Sequence, residues 1–132
     1  MLTDQARRLV DRPEFGVLSS TNPDGTHHLC VRWVGRRDGD IVMASRSARR
    51  QVQNLLRHPA ASLLVHSRVD PLEYVEIRGE VEVGVDEGGE LVDSLARAYT
   101  GSGHVGLDPE ADTDRVILRL QPSRVIDHPR RS

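Results

Sequence analysis

Apolar and polar residues alternate along much of the chain, which is the pattern of strands that bury one face. The alternation is longest in YVEIRGEVEVGV, residues 74–85, where every second residue is apolar or glycine. Shorter segments of the same kind predict strands at 15–21, 26–35, 41–44, 61–66 and 115–120, with a short edge strand at 124–126. The pattern therefore predicts six or seven strands.

Two turn sequences separate the first three predicted strands. NPDG at residues 22–25 is a strong turn, because proline presets φ and glycine tolerates positive φ. RDGD at residues 37–40 is a second turn of similar composition. Both indicate hairpins, so the first three strands are expected in meander order.

Three segments carry apolar residues at helical spacing, at 3–12, 48–57 and 86–99. Thr3 is the expected cap of the first, and Gly101 follows the last. Hairpin signals without regular βαβ alternation predict an α+β fold, a six-stranded antiparallel barrel decorated by helices. We expect one domain over residues 1–132, with a core at 13–126, a turn-rich loop at 101–114 and a polar tail at 127–132.

Length and composition narrow the class of protein. A chain of 132 residues fits one domain, in which a roomy ligand pocket would need a second subunit. The net charge of −2 argues against general binding to nucleic acid or membrane surfaces. A single cysteine excludes an internal disulfide, and the lack of a long apolar run predicts a cytoplasmic protein. All 18 basic residues are arginine, because the chain contains no lysine.

Common chemical motifs are absent from the sequence. There is no glycine-rich dinucleotide fingerprint, Walker loop or nucleophile elbow. His27 and His28 are neighbours on a predicted strand, so their side chains point to opposite faces and do not chelate one metal ion. We therefore expect no metal site.

The segment SRSARRQVQN, residues 45–54, places positive charge where a helix usually carries acids. With Ser47 as the expected N-cap, Arg49 and Arg50 lie beside the positive end of the helix dipole, close to Arg46. A bound phosphate or carboxylate would reverse this unfavourable term. The segment is therefore a candidate anion site, and the alternative is that the arginines are solvated surface residues.

The order of local patterns resembles the pyridoxamine 5'-phosphate oxidase-like split-barrel superfamily, in particular its small reductases that use the deazaflavin coenzyme F420. The matching pieces, in chain order, are FGVLSSTNPDG, LCVRWV, the GD turn before IVMAS, RSARRQVQNLLRHPAASL, YVEIRGEVEV, YTG and RVILRL. The resemblance implies a six-stranded split barrel of the FMN-binding type. It also implies a homodimer with the cofactor at the subunit interface.

Carried over residue by residue, the resemblance assigns Ser45, Arg49 and Asn54 to the segment beside the cofactor phosphate. It assigns Trp33 to a position beside the cofactor ring. The family places a lysine three residues before the asparagine, and this chain has Gln51 there.

Two explanations of the missing lysine remain open at this point. Either Arg46, Arg49 or Arg50 replaces its charge, or this member has lost the cofactor. The lysine-free composition favours replacement, although arginine needs a different placement from lysine.

The resemblance leads us to expect an F420-dependent oxidoreductase that transfers hydride from the reduced deazaflavin to a small unsaturated or electrophilic substrate. The alternatives are an FMN-dependent flavoprotein of the same fold and a non-catalytic protein that binds F420, haem or another flat anionic ligand. The sequence identifies no catalytic residue. If a proton donor is used, Tyr74 and His28 are the candidates.

Overall fold

The computed structural model describes residues 2–102 and 114–129. Within them the alternating segments form seven strands: Phe15–Thr21 (β1), His27–Trp33 (β2), Gly35–Arg37 (β3), Asp40–Arg46 (β4), Ala60–His66 (β5), Tyr74–Val85 (β6) and Arg115–His128 (β7). Three α-helices accompany them: Asp4–Asp11 (α1), Arg50–Arg57 (α2) and Glu90–Thr100 (α3). A 3₁₀ turn, Glu87–Gly89, precedes α3.

One antiparallel sheet contains all these strands, in the order β2-β1-β5-β6-β7-β4-β3. Its two outer strands, β2 and β3, are separated only by Val34. Residues 27–37 thus form one continuous arm. Its first half, β2, pairs with β1, and its second half, β3, pairs with β4. A single stretch of chain thus joins the two edges of the curled sheet. Counted as one strand, the arm gives the six strands predicted, and the antiparallel split-barrel fold is confirmed.

The inward faces of the strands form the main core. Fully buried residues come from β1, β4, β5, β6 and β7, since period-two alternation sends alternate side chains inward. Ala6 and Leu9 of α1 and Val52 and Leu55 of α2 join this core. The strand residues at its centre include Leu18, Met43, Leu63, Ile77 and Leu118, all with no exposed surface.

Helix α3 packs outside the barrel, against β4. Leu91 and Leu95 meet Val42 in a second apolar cluster, which also takes in Trp33 and Tyr99. The helix is capped by the buried carboxylate of Asp86, whose oxygens accept from the backbone N–H groups of Leu91 at 2.9 Å and Val92 at 3.2 Å. None of the helices in the described ranges is long and apolar enough to cross a membrane.

The start of α2 differs from the prediction. The helix begins at Arg50, and its N-cap is Arg49, which makes no side-chain capping bond. The predicted Ser47 cap is wrong because Ser47 is held by other partners. Its N–H donates to the carbonyl of Asp114 at 2.9 Å, and its own carbonyl accepts from the side chain of Gln53 at 2.7 Å.

The last strand is longer than predicted. Residues 115–120 and 124–126 belong to one strand, which passes Pro122 at a bulge: Gly79 pairs with Pro122 and Arg78 with Arg124, so Ser123 is the extra residue of β7. A Cβ at Gly79 would lie 2.0 Å from the carbonyl oxygen of Gln121, so only glycine fits. Residues 127 and 128 are also part of β7, so the predicted tail does not start at 127. Residues 130–132, and most of the predicted loop at 101–114, lie outside the described residues.

We predict that Asp86→Ala lowers the free energy of unfolding by about 1 to 2 kcal/mol, because two N–H groups of α3 lose their acceptor. Urea unfolding followed by circular dichroism measures the loss. Glu87→Ala is the matched control, since Glu87 is exposed and caps nothing in the described structure. Equal stability of the two variants would contradict the capping role.

Candidate functional site

A cleft of about 290 Å³ opens on the outer side of the barrel, where the ends of β2 and β4 lie beside α3. The lining residues are of two kinds. The apolar ones are Phe15, Val31, Trp33, Ala44, Val92 and Leu95, and the polar ones are Arg32, Arg46, Arg49, Arg115 and Ser45. The cleft therefore combines a flat aromatic wall with a cationic rim.

The aromatic wall consists of Phe15 and Trp33, and both rings contact Tyr99, which does not itself line the cleft. Trp33 stacks on Tyr99 with the ring centroids 5.3 Å apart and the planes 17° from parallel. Phe15 meets the same tyrosine at 5.9 Å and 43°. The guanidinium of Arg68 lies 5.7 Å from the centre of the Phe15 ring. Such packing restrains the rings, so the wall is preformed.

Two arginines of the rim have no counter-ion among the described residues. Arg49 is exposed at the N-cap of α2, whose first turn contains no acidic residue. Arg32 is partly buried, and its Nε atom is buried without a hydrogen-bond partner in the described structure. A buried donor of this kind is costly unless something accepts from it. An anion in the cleft would be such an acceptor.

The other two arginines face each other across the sheet. Arg46 of β4 and Arg115 of β7 are register partners, and like charges in this arrangement repel. Asp114 reduces the repulsion, because its Oδ1 accepts from Nη1 of Arg46 at 2.6 Å. The pair adds to the positive potential of the rim. The residues that line the cleft therefore favour a ligand with a negative group.

Four of the predicted site residues line the cleft, namely Trp33, Ser45, Arg46 and Arg49. Arg50 does not line it. The pKa of Asp24 is lowered, chiefly by hydrogen bonds from Thr26 and to a smaller extent by the charge of Arg50. Arg50 thus lies within electrostatic range of Asp24, in the turn between β1 and β2.

Gln51 and Asn54 do not line the cleft and are 3% and 0% exposed. The Gln51 amide donates to Oγ of Ser45 at 3.0 Å. Asn54 donates to Oγ of Ser20 at 3.1 Å and to Oδ1 of Asn22 at 3.0 Å. Because the Ser45 hydroxyl already accepts from Gln51, its own proton is available to a ligand oxygen. Gln51 therefore orients Ser45.

Sequence reasoning missed Arg32 and Arg115. Arg32 adjoins Trp33, but its period-two position assigned it to the opposite face from the tryptophan. Arg115 enters the site only through its register with Arg46, which the sequence does not reveal. The two candidate proton donors, Tyr74 and His28, do not line the cleft. Tyr74 instead stacks on His128 at 4.1 Å.

Comparison with solved structures finds close relatives in fold. An F420 reductase superposes with a TM-score of 0.83 at 28% identity, over 95% of this chain and 98% of its own. A conserved hypothetical protein from Mycobacterium tuberculosis gives 0.76 at 24% identity, over 100% of this chain and 92% of its own. A heme binding protein from Mycobacterium smegmatis gives 0.63 at 23% identity, over 92% of this chain and 51% of its own.

Comparison of the sequence with protein families identifies the family as well as the fold. No curated protein matches the sequence. The family described as Pyridoxamine 5'-phosphate oxidase matches residues 2–129, which is nearly the whole chain. The split barrel described above is consistent with that match. The chain therefore belongs to the pyridoxamine 5'-phosphate oxidase family.

Proposed function

We propose that this protein is an F420-dependent oxidoreductase that reduces a small unsaturated or electrophilic molecule. The observation that carries the proposal is the cleft, whose lining combines a preformed aromatic wall with four arginines. A flat ring with an attached phosphate has complementary features. The similarity to an F420 reductase over nearly the full length of both chains supports the choice of cofactor.

The residues present fit such a cofactor at both of its ends. The phosphate would be held by Arg49, which is the N-cap residue of α2, and by the hydroxyl of Ser45. Arg32 would be a further donor. Trp33 would hold the plane of the ring. Arginine at position 49 would thereby supply the charge that the family's lysine provides. The swap would leave Gln51 free to orient Ser45.

When bound, the reduced deazaflavin supplies a hydride. The contribution of this chain is to anchor the phosphate, orient the ring and exclude water from one of its faces. The residues that line the cleft in the described structure include no carboxylate, imidazole, thiol or phenol. They therefore offer no general acid, and the proton that accompanies the hydride would come from solvent or from a second subunit.

A second copy of the chain would complete the site. Val31 lines the cleft and is 64% exposed, as is Leu29 two residues earlier on the same face. Val17 lies opposite Val31 in the sheet, and Leu64 lies opposite Val17, so an apolar band continues across the outer surface. Burying this band against a partner would enclose a ligand too large for one subunit. We therefore propose a homodimer with the cofactor at its interface.

The alternatives to an F420-dependent enzyme are an FMN-dependent enzyme, a carrier of F420 and a haem-binding protein. FMN also joins a flat ring to a phosphate, so the same arginines and Trp33 would bind it. A non-catalytic carrier of F420 is supported by the lack of a general acid among the residues lining the cleft. Haem fits less well, because these residues include no histidine to serve as an axial ligand.

Fluorescence of Trp33 tests the proposed cofactor directly, since it is the only tryptophan in the chain. We expect F420 to quench this emission with a Kd in the micromolar range and more tightly than FMN or haem. Tighter binding of FMN would replace F420 in the proposal. Tight F420 binding without reduction of a panel of enones and quinones would favour a carrier.

We predict that Arg49→Ala raises the Kd for F420 about tenfold, which corresponds to about 1.4 kcal/mol lost with one charge-assisted contact. Arg50→Ala is the matched control, because Arg50 neighbours Arg49 but does not line the cleft. It should change the Kd less than about twofold. An equal effect of the two substitutions would point to general electrostatics and not to a defined phosphate site.

The proposed dimer predicts a particle of twice the 14.7 kDa chain mass in sedimentation equilibrium. Val31→Glu should shift the particle toward the monomer, because it places a charge on the apolar band. Val69→Glu is the control, since Val69 is 87% exposed in the turn between β5 and β6. A wild-type monomer at high micromolar concentration would contradict the dimer.

A further inference from the structure

The hydroxyl group of Tyr99 is bonded at the point where the barrel arm changes partner. The backbone N–H of Val34 donates to this oxygen at 2.8 Å. The phenol proton in turn faces the carbonyl oxygen of Val34 at 3.0 Å and that of Glu14. Because a phenol has one proton, it donates to one of these carbonyls at a time. One side chain thus binds both β2–β3 and the residue that precedes β1.

Val34 needs this partner. It is 2% exposed, and it lies between the ladder of β2 with β1, which stops at Trp33, and the ladder of β3 with β4, which begins at Gly35. A buried backbone amide without a partner is costly. The Tyr99 hydroxyl therefore satisfies the backbone at the one residue of the arm that pairs with neither neighbour.

The ring of the same tyrosine supports the wall of the cleft. It stacks on Trp33 and contacts Phe15, both of which line the cleft. Tyr99 itself lines the groove beside α1 and α3 and not the cleft. The Trp33 ring therefore separates Tyr99 from a bound ligand. Tyr99 therefore acts on a ligand indirectly, through the rings of Trp33 and Phe15 and through the α3 residues Val92 and Leu95 that line the cleft.

A second set of contacts braces this arrangement. Glu14 is buried, and its carboxylate accepts from the backbone N–H of Arg68 at 2.9 Å. The Arg68 side chain lies over Phe15. Burial raises the pKa of the Tyr99 phenol, so the hydroxyl keeps its proton at neutral pH. The donor in this network is consequently permanent under physiological conditions.

We propose that Tyr99 is a positioning residue that sets the plane of Trp33, and with it the ring-binding half of the cleft, without touching the ligand. The phosphate-binding half depends on Ser45 and Arg49, to which Tyr99 makes no hydrogen bond or ring contact in the described structure, although Tyr99 packs in the apolar cluster around Val42 of β4. The inference therefore separates the two halves of the site. The part of the inference that concerns F420 binding rests on the proposed function, and the part that concerns Trp33 in the ligand-free protein does not.

Tyr99→Phe tests the inference because it keeps the ring and removes the hydroxyl. In the ligand-free protein we expect lower fluorescence anisotropy of Trp33 and at least a twofold increase in its quenching by acrylamide. Tyr74→Phe is the matched control, since Tyr74 stacks on His128 and does not line the cleft. It should leave both signals unchanged. Measurements are made well below each variant's melting temperature, so that loss of stability alone does not move them.

Binding provides the second reading. We expect Tyr99→Phe to raise the Kd for F420 about tenfold while changing the Kd for inorganic pyrophosphate, measured by calorimetry, less than about twofold. Equal losses for both ligands would show a general structural role and overturn the inference, as would an unchanged Trp33 signal. Failure of the wild type to bind F420 would refute the proposed function alone, because the ligand-free fluorescence still tests Tyr99.

A further measurement covers the case in which Tyr99→Phe does not fold. In the Tyr74→Phe background Tyr99 is the sole tyrosine, so 3-fluorotyrosine replaces it selectively and lowers the pKa of the phenol. Glu14 and Arg68 are the charged groups that face this phenol. We expect the Trp33 anisotropy to fall at a lower pH than in the unmodified protein, because the phenolate no longer donates. Identical pH profiles would overturn the inference.

Discussion

The barrel depends on one arm of chain, β2–β3, that serves as a strand at both edges of the sheet. It pairs with β1 until Trp33 and with β4 from Gly35, so the sheet closes without an additional strand. This arrangement leaves one residue at the crossing point, Val34, whose backbone belongs to neither ladder. The Tyr99 hydroxyl group hydrogen-bonds the backbone of Val34, and α3 is thereby fixed against the outside of the barrel. The same hydrogen bonds therefore support the closure of the sheet and the position of α3.

The cleft follows from the same crossing. Because the arm passes from β1 to β4, the end of β2 lies near the end of β4, although the two are more than ten residues apart in the chain. The first brings Arg32 and Trp33, and the second brings Ser45 and Arg46. The start of α2 then adds Arg49, and the register of β7 adds Arg115. Basic residues from four segments meet an aromatic wall, although the chain as a whole has a net charge of −2.

Local patterns predicted much of this fold, and tertiary contacts explain the rest. The strands 15–21 and 74–85 were predicted with their observed bounds, because strict alternation and strong turns act locally. The Ser47 cap failed because Asp114, far along the chain, binds Ser47 instead. Arg115 was missed because register is a property of the folded sheet. Gln51 was singled out as the missing lysine, and the structure gives it a second role in orienting Ser45.

The central claim is that one cleft binds the ring and the phosphate of a single cofactor. A crystal structure of the protein with F420 tests it most directly. The account predicts the ring against Trp33, the phosphate within hydrogen-bonding distance of Arg49 and the Ser45 hydroxyl, and a second subunit over Val31. A cofactor bound in the groove between α1 and α3, or with its phosphate away from Arg49, would contradict the account.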